Sequence, residues 1–296
     1  MRRSTLHLYI ILFILLLLSY YAYSRQIINI SSGIEGYRNK NIFNFHCRFH
    51  YGDNIINLKF FYNISRILKE NNIMINYYYD NNQIKNVNEL ERYVDKDTLT
   101  LRFISEVPSD SVDLWMGTDI NGINHGDFDV YFKEFYMRIL KTLHLEDKGI
   151  DVSLYQNEEY LLNIYNNLDN KYKNLDILVL NSQPQSGQFV YNKDTMDAMC
   201  KTLSTKYKIA TSTCVDDSIS CTMRDNLTIQ DIGAISTHAK YIVAVYSGPL
   251  IACFNKSTKE HVKKWVFLTH APIKHVEIDY ALSANVEGVE QIIEGE

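Results

Sequence analysis

Thr228-Ile-Gln-Asp-Ile-Gly-Ala-Ile-Ser-Thr-His-Ala-Lys-Tyr-Ile-Val-Ala-Val-Tyr-Ser-Gly-Pro-Leu250 carries three structural signals in one run. Ile229, Ile232 and Ile235 recur at helical spacing. Lys240 to Tyr246 is almost wholly apolar and too short for a helix, so it reads as a strand covered on both faces. Ser247-Gly248-Pro249 then forms a tight turn into a further helix. Helix, buried strand, turn and helix together are the grammar of a parallel sheet with helices on both sides.

The same pattern extends outward. Asp176 to Asn181 is a second buried-strand run, followed by a helix over 193–205 and a strand over 207–212. A helix over 157–168 precedes it, a charged break at 169–174 follows that helix, and a last helix is expected over 286–293. Closer to the amino terminus, strands are expected over 42–49, 73–79 and 98–104, with helices over 54–70 and 131–143. The chain thus reads as an α/β protein of two Rossmann-like lobes, 42–170 and 171–296.

Bulk composition agrees with two globular units. The chain has 296 residues, 46% hydrophobic and 22% charged, which excludes a disordered or collagen-like polymer. Its net charge of −5 argues against a broad basic face for nucleic acid. One block departs from the average: residues 6–23 are nearly all apolar, with Arg2 and Arg3 before them. That predicts a signal anchor within residues 1–25, a stem over 26–41, and a single-pass membrane protein. Its amino terminus would be cytosolic and its remaining chain lumenal or periplasmic. A cleaved signal peptide ending near Ala22-Tyr23-Ser24, with secretion of the rest, is the competing reading. Five cysteines include no C-x-x-C pair, and Cys214 and Cys221 are spaced to close a loop in an oxidising compartment.

Two post-strand segments carry polar chemistry. His46-Cys-Arg-Phe-His-Tyr-Gly-Asp-Asn54 ends the first strand and opens a helix. Gly52 permits a tight turn, and Asp53 stands at a helix amino terminus, as a base for a hydroxyl or simply as a cap. Asn181 to Gln188, with Gln185, Ser186 and then Lys193, follows a buried strand and offers amides, hydroxyls and one cation to a phosphate. It lacks the Gly-Lys-Ser/Thr of a P-loop.

The Gly52-Asp53 turn followed by Leu58, the post-strand loop with Lys193, and the helix–strand–Ser247-Gly248-Pro249 segment together resemble family 9 glycosyltransferases. These are the bacterial lipopolysaccharide heptosyltransferases and their relatives. The resemblance spans roughly residues 42–295 in order. It implies a GT-B architecture of two lobes facing a cleft, with no metal and no permanently bound cofactor. A nucleotide-sugar would enter as co-substrate on the second lobe, and a glycan or glycoconjugate acceptor from the first. Asp53 then matches the family's base, with His50, Gly52 and Asn54 on the acceptor side. Gln185, Ser186, Lys193, Ser247 and Gly248 fall on the donor side, and the final helix would cross back to the first lobe.

Tyr246 stands where the family commonly has an acidic residue, and Leu250-Ile-Ala-Cys-Phe254 lacks its histidine. A catalytically silent binding module is therefore one alternative. A metal-dependent transferase of GT-A architecture is another, its D-x-D pair being Asp127 and Asp129.

Overall fold

The computed structural model describes residues 41–84, 86–115, 127–184, 187, 189–271 and 273–295. The first lobe begins with β1 (Asn41–Cys47), whose buried end runs into α1 (Tyr51–Asn63). After α2 (Ser65–Glu70) come β2 (Ile73–Tyr79), α3 (Val87–Glu91), β3 (Leu99–Phe103) and the two-residue β4 (Val112–Asp113). Two helices follow, α4 (Phe128–Thr142) and α5 (Tyr160–Asn167).

The second lobe opens with β5 (Ile177–Leu180), α6 (Lys193–Ser204), β6 (Ile209–Thr211) and β7 (Ser220–Cys221). It continues with α7 (Ile229–Ser236), β8 (Tyr241–Val245), α8 (Gly248–Cys253) and α9 (Lys256–His261). β9 (Lys264–Leu268), β10 (Tyr280–Ser283) and α10 (Val289–Glu294) complete it.

Both sheets are parallel throughout. The first has the order β3-β2-β1-β4 and the second β10-β9-β8-β5-β6-β7. Counted within each lobe these are the 3-2-1-4 and 6-5-4-1-2-3 windings of doubly wound folds. Each sheet therefore reverses its winding once, between β1 and β4 and between β5 and β8. Crevices at the carboxyl ends of such strand pairs are where open α/β sheets bind ligands. The residues emerging there are those the sequence singled out: 48–54 after β1, 181–184 after β5, and 246–248 after β8.

One apolar core crosses both lobes. Phe45, Phe60 and Tyr136 of the first lobe belong to the same buried cluster as Leu178, Phe254 and Trp265 of the second. Gly233 of α7 lets α8 approach: a Cβ there would lie 2.9 Å from the Ala252 carbonyl oxygen. Within this core Lys59 of α1 is buried with Glu158, its Nζ 2.7 Å from Oε1, and donates to the Phe254 carbonyl at 2.5 Å. Glu158 also accepts from the Tyr160 hydroxyl. A buried charge demands this degree of pairing.

Three expectations are corrected. The anchor of residues 6–23 lies outside the described residues, and no described helix is long and apolar enough to cross a membrane. The single-pass, lumenal or periplasmic placement is accordingly withdrawn. The final helix does not run to the first lobe: Val289 and Ile293 of α10 pack against Val266, Leu268 and Leu203, and Lys206 pairs with Glu290 and Glu294. Finally, α5 lies before residue 170 yet packs on the second lobe, Leu161 and Tyr165 touching Ala234 of α7.

Candidate active site

The turn from β1 into α1 is fastened from within. Asn54 is fully buried; its side-chain amide donates to the carbonyls of Phe49 at 2.7 Å and His50 at 3.0 Å, and its oxygen accepts from the Tyr77 hydroxyl. Asn54, expected to face an acceptor, thus holds the loop instead. Asp53 lies in the first turn of α1, its side chain 13% exposed and its Oδ2 3.5 Å from His50 Nδ1. Burial pushes its carboxyl up to about 6, against the opposing attraction of His50. A carboxylate titrating there can hold or release a proton near neutrality.

Gly52 brings this turn to the second lobe. A Cβ on Gly52 would lie 3.5 Å from Gly248 Cα, and one on Gly248 would lie 3.4 Å from Tyr51 Cδ1. The Gly52-Asp53 turn and the Ser247-Gly248 turn therefore meet across the lobe junction. Ser247 Oγ is shielded from solvent and hydrogen-bonded to nothing among the described residues, as is the Tyr51 hydroxyl. Unpaired buried donors are costly.

Gln185 and Ser186 lie outside the described residues. Lys193 is exposed in the first turn of α6 and ion-pairs with Asp197 of its own helix, which raises its pKa. Asn181 ties the loop after β5 to that after β6, receiving Thr213 N–H at 2.8 Å, while Ser182 and Ser212 hydroxyls meet at 2.9 Å.

Asp129 has another role than a D-x-D ligand. Its Oδ1 lies 3.0 Å from His275 Nδ1, and its Oδ2 accepts the backbone N–H groups of Val276 and Glu277. Burial opposes ionisation, but these bonds from His275 and the two amides prevail and hold the carboxyl below its ordinary range. His275 Nε2 in turn lies 2.5 Å from the Tyr246 hydroxyl. With both oxygens engaged and the side chain 1% exposed, Asp129 is unavailable to a metal-bound diphosphate, so the metal-dependent reading fails at this position. No group of three or more metal-ligating side chains is found among the described residues.

The Asp129–His275–Tyr246 network was not legible in the sequence, since its members are far apart in the chain. Tyr246 in place of an acidic residue was its one visible trace.

Two doubly wound parallel sheets, with the Gly52-Asp53 and Ser247-Gly248 turns in contact, define an α/β fold of two lobes. No protein-family model matches the sequence, and no curated protein matches it. Among solved structures, the chain is similar in fold to the E. coli heptosyltransferase WaaC with ADP-2-deoxy-2-fluoro heptose. That likeness has a TM-score of 0.50 and 8% identity, and covers 85% of this chain and 99% of that one. WaaC with ADP also matches (TM-score 0.44, 9% identity, 85% and 99% covered), as does a family 9 glycosyl transferase from Veillonella parvula DSM 2008 (0.44, 9%, 84% and 87%). The likeness to the heptosyltransferase WaaC is one of fold.

Proposed function

We propose that the chain is a glycosyltransferase that moves a sugar from a nucleotide-sugar to a hydroxyl of a glycan or glycoconjugate. The observation that carries this reading is Asp53: a carboxylate raised to about 6, placed where the first lobe's switch-point loop abuts the Ser247-Gly248 turn of the second. The solved WaaC structures hold ADP and an ADP-heptose analogue, which supports a nucleotide-sugar as the donor here.

In the proposed reaction Asp53 accepts the acceptor hydroxyl proton as the oxygen attacks the sugar's anomeric carbon. The anomeric carbon–phosphate oxygen bond breaks and its electron pair leaves with the nucleoside diphosphate. The amides and hydroxyl of Ser247 and Gly248, the loop containing Gln185 and Ser186, and Lys193 stabilise that charge. Lys193 must exchange Asp197 for the diphosphate to take part.

A second reading, a binding module without turnover, draws on Tyr246, which engages His275 where the family commonly has a carboxylate. Incubation with a panel of nucleotide-sugars separates the two. Hydrolysis or transfer by the chain, lost in Asp53→Asn, supports the enzyme. A raised melting temperature without turnover supports the module.

A further inference from the structure

The first sheet's switch point carries aromatic side chains that the proposed reaction does not use. Val112 and Asp113 of β4 pair with Phe45 and His46 of β1, so the residues leaving the two strands emerge side by side. Phe49, three residues beyond His46, and Trp115, two beyond Asp113, meet with ring centroids 4.3 Å apart and planes inclined by 38°. Phe49 is 39% exposed although it is a large apolar side chain.

Polar groups border the pair. Asp113 Oδ1 accepts the Trp115 backbone N–H at 2.9 Å, Oδ2 lies 3.8 Å from His46 Nε2, and the carboxylate is one-third exposed. Phe49 also leads directly into the turn of Asp53: its ring centroid is 6.3 Å from that of His50, which contacts Asp53.

We propose that Phe49, its ring backed by Trp115, forms an exposed platform for the apolar face of a pyranose ring, with Asp113 accepting hydrogen bonds from its hydroxyls. A pyranose presents C–H groups on one face and hydroxyls at its rim. Aromatic faces carry negative charge density that attracts such C–H groups, and an exposed carboxylate accepts from hydroxyls. The crevice at a winding reversal is the expected seat of a ligand in this fold. Calling this saccharide the acceptor rests on the transferase reading; its binding does not.

The chain has two tryptophans, and Trp265 is fully buried in the core. Labelling the full chain with 5-fluorotryptophan gives two fluorine resonances, assigned with Trp115→Phe. Titration with maltotriose, chitotriose, mannotriose and galactotriose should shift the Trp115 resonance saturably for at least one and leave Trp265 unmoved. Phe49→Ala, at an exposed position, should weaken that binding about tenfold, the loss of one aromatic stacking contact. A Trp115 resonance unmoved by every saccharide, or affinity unchanged in Phe49→Ala, overturns the platform.

Turnover is read separately. Transfer to a saccharide by the wild type with an unaltered acceptor KM in Phe49→Ala also overturns the platform while the transferase reading stands. Saccharide binding without turnover leaves the platform supported and removes the word acceptor.

Discussion

At the scale of single residues, the role proposed for Asp53 comes with a structural cost. Its carboxyl is pushed up to about 6 chiefly by burial, so the folded chain holds that proton more tightly than the unfolded chain does. The linkage sign follows: this site favours folding at low pH, and that contribution is lost as pH rises from the ordinary carboxylate range through about 6. At about 1.4 kcal/mol per unit, the ionised group costs on the order of 2–3 kcal/mol at neutral pH. Asp53→Asn should therefore melt higher than the wild type at pH 7.5, the difference vanishing below about pH 4. The same substitution should lower transfer by about 10²–10⁴-fold, the usual loss of a general base. Transfer by the wild type should rise with pH through about 6, and His50→Ala should move that inflection upward because His50 attracts the ionised form. An unchanged melting temperature across pH would show that burial does not govern Asp53.

At the scale of elements, what the sequence disclosed was whatever rests on short-range pattern. Ile177 to Leu180 is buried along its whole length and forms β5; Ile229, Ile232 and Ile235 form the buried face of α7. Cys214 and Cys221, close in the chain, are joined in a disulfide. Trp265-Val-Phe-Leu268 carries the same apolar signal and forms most of β9, whereas two-residue β4 and β7 have no periodicity to detect. What could not be read was long-range pairing, such as Asp129 with His275 or Glu89 accepting the Ile229 N–H of α7. Two elements invite tests. Gly233→Ala would force a Cβ to within 2.9 Å of backbone in α8 and should cost about 1–3 kcal/mol; Gly52→Ala, whose Cβ meets ordinary contacts, should be tolerated. Opening the Cys214–Cys221 loop with Cys214→Ser and Cys221→Ser should cost about 2 kcal/mol by the chain-entropy estimate. Urea titrations measure both, and a neutral Gly233→Ala would contradict the close crossing.

At the scale of the whole molecule, one apolar core runs through both lobes. They share a core, and polar contacts stitch its margins: Phe128 N–H to the Lys274 carbonyl, Gln230 to the Arg92 carbonyl, and Lys59 to the Phe254 carbonyl and Glu158. Lys59→Met should destabilise by about 3–5 kcal/mol, since it strands Glu158, and the additional Glu158→Leu should recover most of that loss. Calorimetry should show a single transition for the wild type; two separated transitions would contradict a shared core. In the proposed function the switch-point loops on either side of this junction carry the chemistry, with Asp53 on one side and Ser247-Gly248 on the other. The most direct test is the release of nucleoside diphosphate from a panel of nucleotide-sugars, with wild type and Asp53→Asn compared at pH 7.5. We predict release by the wild type with at least one donor, falling about 10²-fold or more in Asp53→Asn. Release that is equal in both proteins, or absent with every donor, would contradict catalysis at this junction.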